Sequence, residues 1–163
     1  MVLSPDEKEA FMSARTDLSG YSSDNRLLLA VEVKSKRGAS PEWAMQFRGN
    51  LLSHSFLPDT PYFLMATPDV FFLWKNAASA APDALPDYTL DAKEALGSLI
   101  DRASLSLETI SKQGLEFLIA TWLQDLILSD LSTETAPPRL RWLFESGLYD
   151  ALKNGLVLLG EAA

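Results

Sequence analysis

The chain has 163 residues, no cysteine and a single histidine, His54. The first absence excludes disulfides and thiolate metal sites and suits a reducing compartment. The second leaves no histidine cluster for a metal and no set from which to build a histidine-activated nucleophile. His54 itself reads as a structural residue near a helix C-terminus, where a cation is favoured. Long hydrophobic runs are missing too. The most apolar stretch, residues 115–128, is interrupted by Glu116, Gln124 and Asp125 and is too short to span a bilayer. The first fourteen residues carry Asp6, Glu7, Lys8 and Glu9 in place of a signal-peptide apolar core. No glycine-rich phosphate loop or dinucleotide fingerprint occurs, so nucleotide-cofactor chemistry has no support. A soluble, cytoplasmic protein with no membrane association is the expectation.

Positive charge is also scarce: 14 Lys and Arg stand against 22 Asp and Glu, a net charge of −8. The deficit lies in the second part of the chain. Residues 1–60 hold seven basic and eight acidic side chains, residues 61–163 seven and fourteen. Between Arg26 and Arg48 the balance reverses, with five basic residues to two acidic. Phosphate-backbone binding needs local Lys and Arg contacts, so this patch permits nucleic-acid binding on an otherwise acidic body. Hydrophobic residues make up 47% of the chain and charged residues 22%, ordinary values for a globular protein with a real core.

In chain order, residues 4–14 read as a first helix, with Ser4 as N-cap and Pro5 at the first helical position. Residues 16–21 and 26–35 read as an antiparallel hairpin around the polar turn Ser22-Ser23-Asp24-Asn25. Ser40 caps a helix that starts at Pro41 and runs to about His54, with Trp43, Ala44, Met45, Phe47, Leu51 and Leu52 on its apolar arc. Glu42, Gln46, Asn50 and Ser53 fall on the opposite side. Arg48 sits inside the apolar arc, a costly place unless it snorkels or meets a carboxylate or phosphate. Residues 62–66 and 70–74 make a second hairpin around Thr67-Pro68-Asp69. The alanine- and proline-rich residues 77–90 read as a linker between an α/β core (1–76) and a helical region (91–163) that packs on the core or on a partner. Its helices are expected at 91–103, 107–128 and 138–154, with Gly114 a weak point in the second because glycine costs roughly 1 kcal/mol inside a helix.

The chemistry gathers in residues 26–40. Leu27, Leu29, Val31 and Val33 form one face of a strand; Leu28, Ala30, Glu32, Lys34 and Lys36 form the other. A carboxylate and an ammonium thus stand side by side where the strand leaves the core. The hairpin brings Asp17 toward Glu32, depending on register. This order of a helix, an Asp-bearing strand, Glu32-Val33-Lys34 ending the next strand, and a helix with Gln46 resembles the PD-(D/E)xK nuclease superfamily, whose fold is the restriction-endonuclease-like one. The resemblance covers residues 15–75. It implies a small mixed sheet flanked by helices and a DNA-cleaving hydrolase dependent on magnesium, with manganese as the alternative. Asp17 and Glu32 would be the metal ligands, with the Val33 carbonyl as a third. Lys34 would be the catalytic lysine and Gln46 an accessory residue. Hard cations take oxygen ligands, and magnesium needs only one or two carboxylates beside waters and phosphate. Lys36, Arg37 and Arg48 are assigned to the nucleic-acid backbone.

The three-residue signature is common by itself; the chain also has Asp6-Glu7-Lys8 and Asp91-Ala92-Lys93, both read as solvated helix residues. Glu32 and Lys34 also read as an ion pair on an exposed sheet surface, and Asp17 as a turn or strand-end residue bonded to backbone. Three functions therefore stay open. One is a metal-dependent nuclease, a homodimer or partner-bound through its C-terminal helices. Another is a catalytically inactive protein of the same fold that serves as an interaction or dimerisation module. The third is an unrelated α/β binding module.

Overall fold

Among the described residues, six strands form one mixed sheet. The computed structural model describes residues 16–159; the expected helix at 4–14 lies outside them. The strands are β1 (Leu18–Tyr21), β2 (Leu27–Val33), β3 (Tyr62–Ala66), β4 (Val70–Lys75), β5 (Tyr88–Asp91) and β6 (Leu156–Leu159). They run in the order β5-β4-β3-β2-β1-β6. Only β2 and β3 pair in parallel; the other neighbours are antiparallel.

The two expected hairpins are present, β1–β2 and β3–β4. The first turn closes through the Ser22 N–H on the Arg26 carbonyl at 2.9 Å, with Asn25 in the left-handed region (φ 66°) that asparagine tolerates better than most residues. The parallel β2–β3 pair is bridged by α1 (Pro41–Ser53). Ser40 caps it as expected, its hydroxyl accepting the Trp43 N–H at 3.1 Å, an arrangement worth about 1 kcal/mol.

Both faces of the sheet are covered. On one, α1 with the chain after it buries Ala30, Phe63, Met65, Phe72 and Trp74 against Ala44, Leu51 and Phe56. On the other, Leu29, Val31, Val33, Leu64, Phe71 and Leu73 pack against the second part of the chain. That layer holds α2 (Ala92–Leu96), α3 (Leu99–Arg102), α4 (Lys112–Leu128), α5 (Arg141–Glu145) and α6 (Leu148–Leu152). The α/β class is thus as expected, in three layers.

Residues 77–90 behave differently from a linker. They begin with a short 3-10 turn (Ala77–Ser79) and end in β5, which pairs with β4. At the far end of the chain β6 pairs with β1, so residues before 77 and after 90 share one sheet and one core. The region from 91 onward is therefore not purely helical. Gly155 admits this last strand, because a Cβ there would lie 2.0 Å from the Tyr21 carbonyl oxygen. The long helix starts at Lys112 rather than at 107, since Ser111 caps it. Gly114 falls in its first turn and donates its N–H to Ser111, so its helix penalty is small there.

Arg48 corrects a sequence assignment. It is 1% exposed, and its guanidinium donates to the carbonyls of Ala81, Ala77 and Ala80 at 2.8, 3.0 and 3.3 Å while lying 5.6 Å from the Trp74 ring. It cannot meet nucleic acid; it fastens the alanine-rich segment beneath α1. Replacing it with methionine strands three carbonyls in a dry environment, and we expect Arg48→Met to cost about 3 kcal/mol in urea unfolding.

Candidate functional site

Antiparallel pairing of β1 with β2 decides where the acidic residues meet. Leu18 pairs with Val31, so Asp17, one residue earlier, comes opposite Glu32. Backbone bonds hold it there. The Asp17 N–H donates to the Val31 carbonyl at 3.0 Å, and its Oδ2 accepts the Val33 N–H at 2.7 Å. The expected approach of Asp17 to Glu32 is therefore present, and so is the alternative expectation of a strand-end Asp17 bonded to backbone; one carboxylate does both.

Glu32 is only 8% exposed, so it is not half of an ion pair on a solvated surface. Burial raises its pKa to about 8, and the nearby negative charge of Asp17 adds to the rise, while Lys34 and Lys112 pull the other way. Glu32 is thus mainly protonated at neutral pH, hydrogen-bonded to Asp17. Lys34, two residues on and on the same strand face, is half-buried, with Nζ 4.7 Å from the Phe47 ring of α1. Its N–H bonds the Ala66 carbonyl at 2.9 Å and closes the β2–β3 ladder beside the site.

A lysine from outside the hairpin completes the cluster. Lys112, the first residue of α4, places Nζ 3.1 Å from Asp17 Oδ1 and 2.7 Å from Glu116 Oε1. Burial would lower its pKa, but the bonds to Glu116 and Asp17 outweigh that and keep the ammonium charged above its usual range. Reading the sequence missed this residue because 95 positions separate it from Asp17. One signal was available. A lysine at the start of a helix opposes the macrodipole, and its Glu partner four residues later is in the less favourable order, so compensation from elsewhere is called for.

The remaining assignments separate. Val33 is fully buried and gives its N–H to Asp17. Gln46 is exposed, about 200° around α1 from buried Ala44. Lys36 and Arg37 are exposed on the loop after β2. Lys36 lies 5.7 Å from the Trp43 ring, and Arg37 donates to the Leu107 carbonyl. The Gly38 N–H on Asp69 at 2.9 Å ties this loop to the β3–β4 turn. His54 Nδ1 lies 2.8 Å from the Asn50 carbonyl oxygen and the ring stacks on Phe56, a structural role at the end of α1.

Asp17, Glu32, Lys34 and Lys112 therefore share one end of the sheet. Two acidic groups here could hold a cation; among the described residues no group of three or more His, Cys, Asp or Glu is arranged to do so. No family model matches the chain, and comparison with curated proteins and with solved structures finds no match. Among the described residues, no helix is long and apolar enough to cross a membrane.

The raised pKa of Glu32 has a measurable sign. The folded state holds the proton more tightly than the unfolded chain, whose value is near 4.5. The stabilising contribution is complete below about pH 4.5 and disappears as the pH climbs through about 8. Stability of the wild type relative to Glu32→Gln should fall across that window by roughly 3–5 kcal/mol. Urea unfolding at a series of pH values measures it; parallel curves for the two proteins would contradict the burial argument.

Proposed function

We propose that this protein is a metal-dependent phosphodiesterase of restriction-endonuclease-like fold that cleaves DNA. The observation that carries the reading is the meeting of Asp17 and Glu32 across β1 and β2, with Lys34 two residues further along the same strand face. The parallel β2–α1–β3 unit that follows supports it, since it sets the lysine at the sheet's end beside an exposed basic loop.

The donor set fits magnesium or manganese in chemistry. Both acidic side chains offer oxygen, and burial together with the neighbouring Asp17 charge disfavours a second negative charge at Glu32, which a divalent ion would offset. Asp17 and Glu32 would be the protein ligands, with the Val33 carbonyl as a further candidate. The ion would supply a Lewis acid for the phosphodiester and lower the pKa of a bound water. The chain's own contributions are separate. Asp17 is pre-oriented by the Val33 N–H. Lys34 Nζ, held beside Phe47, is positioned to donate a proton to a phosphate oxygen as charge develops there. Lys36 and Arg37 would grip neighbouring phosphates from their exposed loop, which accounts for local positive charge on an acidic chain.

Relaxation of supercoiled DNA with manganese, beside calorimetric titration of the ion, tests this. Wild type should bind the ion and nick DNA; Asp17→Ala and Glu32→Ala should abolish both. Lys34→Ala should keep ion binding and lose about 100-fold or more in rate. Failure to bind manganese even with DNA present would remove the catalytic reading.

A second reading, the catalytically inactive interaction module, has its own observation. Phe117 and Leu159 are each 60% exposed and lie with Ala120, Val157 and Leu158 along one groove between α4 and β6. Among the described residues β6 is also the last strand of the sheet, uncharged over Leu156–Leu159, and edge strands of that kind invite pairing with another chain. On this reading a homodimer should appear in sedimentation, and Phe117→Ser with Leu159→Lys should convert it to monomer.

A further inference from the structure

One cation already stands in the proposed metal site. Lys112 Nζ is 3.1 Å from Asp17 Oδ1, while the other oxygen of that carboxylate accepts the Val33 N–H at 2.7 Å. A divalent ion bound to Asp17 would face this ammonium at close range, and like charges in a half-buried site repel strongly. The two cannot both keep their full contact with Asp17.

The placement of Lys112 makes it the one that moves. Its side chain is 42% exposed, and its four-carbon stem is flexible. It begins α4, where the helix dipole disfavours a positive charge. A resting place also exists on its own helix: Glu116 Oε1 accepts from Nζ at 2.7 Å, closer than Asp17 does. Withdrawal from Asp17 therefore does not leave the ammonium unpaired. Lys34, the other cation near Glu32, stays against the Phe47 ring and does not compete for Asp17 Oδ1.

We infer that Lys112 is a resident counter-cation of the site, bonded to Asp17 until a divalent ion arrives and then held by Glu116 alone. The inference rests on the metal-dependent reading above and describes how that site is regulated. It predicts that Lys112 opposes ion binding, in contrast to a lysine that helps hold the ion or the substrate.

Manganese affinity of the full chain, measured by calorimetry without DNA, tests this. Lys112→Met should bind manganese roughly three- to tenfold more tightly than wild type, the range expected for removing a half-exposed ion pair. Lys93→Met, with the same loss of charge at an exposed position outside the site, should stay within about twofold. Glu116→Gln should weaken binding in wild type and have a much smaller effect in the Lys112→Met background, because the glutamate acts through the lysine. Thermal melts report folding, and Lys112→Gln, also neutral but able to bond both carboxylates, replaces Lys112→Met if that variant does not fold. Manganese binding by wild type with equal or weaker binding by both lysine variants overturns the inference and leaves the metal site standing. Equal weakening by Glu116→Gln in both backgrounds also overturns it. No binding by any variant without DNA removes the inference; no binding with DNA added removes the metal-dependent reading as well.

Discussion

A strand covered on both faces cannot carry a charged side chain toward the core cheaply, and β2 carries Glu32. Val31 and Val33 go to one layer, Ala30 and Glu32 to the other, and both layers are packed. An isolated carboxylate at such a position is destabilised far more than it would be in water. Two responses are visible at the sheet's end. Glu32 keeps its proton, hydrogen-bonded to Asp17, while positive groups gather on either side, Lys34 from the same strand and Lys112 from α4. The rest of the local structure follows from holding those groups in place. Asp17 is pinned by two backbone bonds to β2, and α4 begins where its first residue can reach that carboxylate.

The second part of the chain does more than roof the sheet. It supplies Lys112 and Glu116 to the site, and it returns in β6 to extend the sheet beside the Asp-bearing strand. Tyr149 shows how that return is secured: its hydroxyl donates to the Ser129 carbonyl at 2.9 Å and accepts the Leu131 N–H at 2.8 Å, fixing α6 to the end of α4. Polar bonds of this kind inside an apolar layer favour one arrangement over others, because any alternative leaves them unpaired. The acidic pair thus depends on contacts made by residues remote in sequence.

Much of the first part of the chain was legible because its signals are local. Alternation in Leu27–Val33, the polar turn after Tyr21 and the Ser40-Pro41 start of α1 each act within a few residues. The meeting of Asp17 and Glu32 followed from the hairpin alone. Gln46 was legible in its helix phase, opposite the apolar arc, and only the family resemblance drew it into the site. Arg48 lay in that arc; sequence showed that its charge needed a partner but not that three carbonyls 29 to 33 residues away would serve. β5 was hidden because Tyr88 and Leu90 alternate with polar residues beside a proline-rich stretch. β6 was hidden because four apolar residues after a helix read as its continuation until a neighbouring strand is known. Lys112 gave only the weak signal of a charge set against the helix dipole; tertiary contacts set its role.

The central claim is that Asp17 and Glu32 form one coupled acidic site. Carbon-13 NMR of the two side-chain carboxyl carbons across the pH range tests it most directly. The account predicts that Glu32 titrates near 8 and that Asp17→Asn lowers that value, because the Asp17 charge helps hold the proton on Glu32. A Glu32 titration near 4.5, or one that Asp17→Asn leaves unmoved, would mean two independent carboxylates, and the coupled site would not exist.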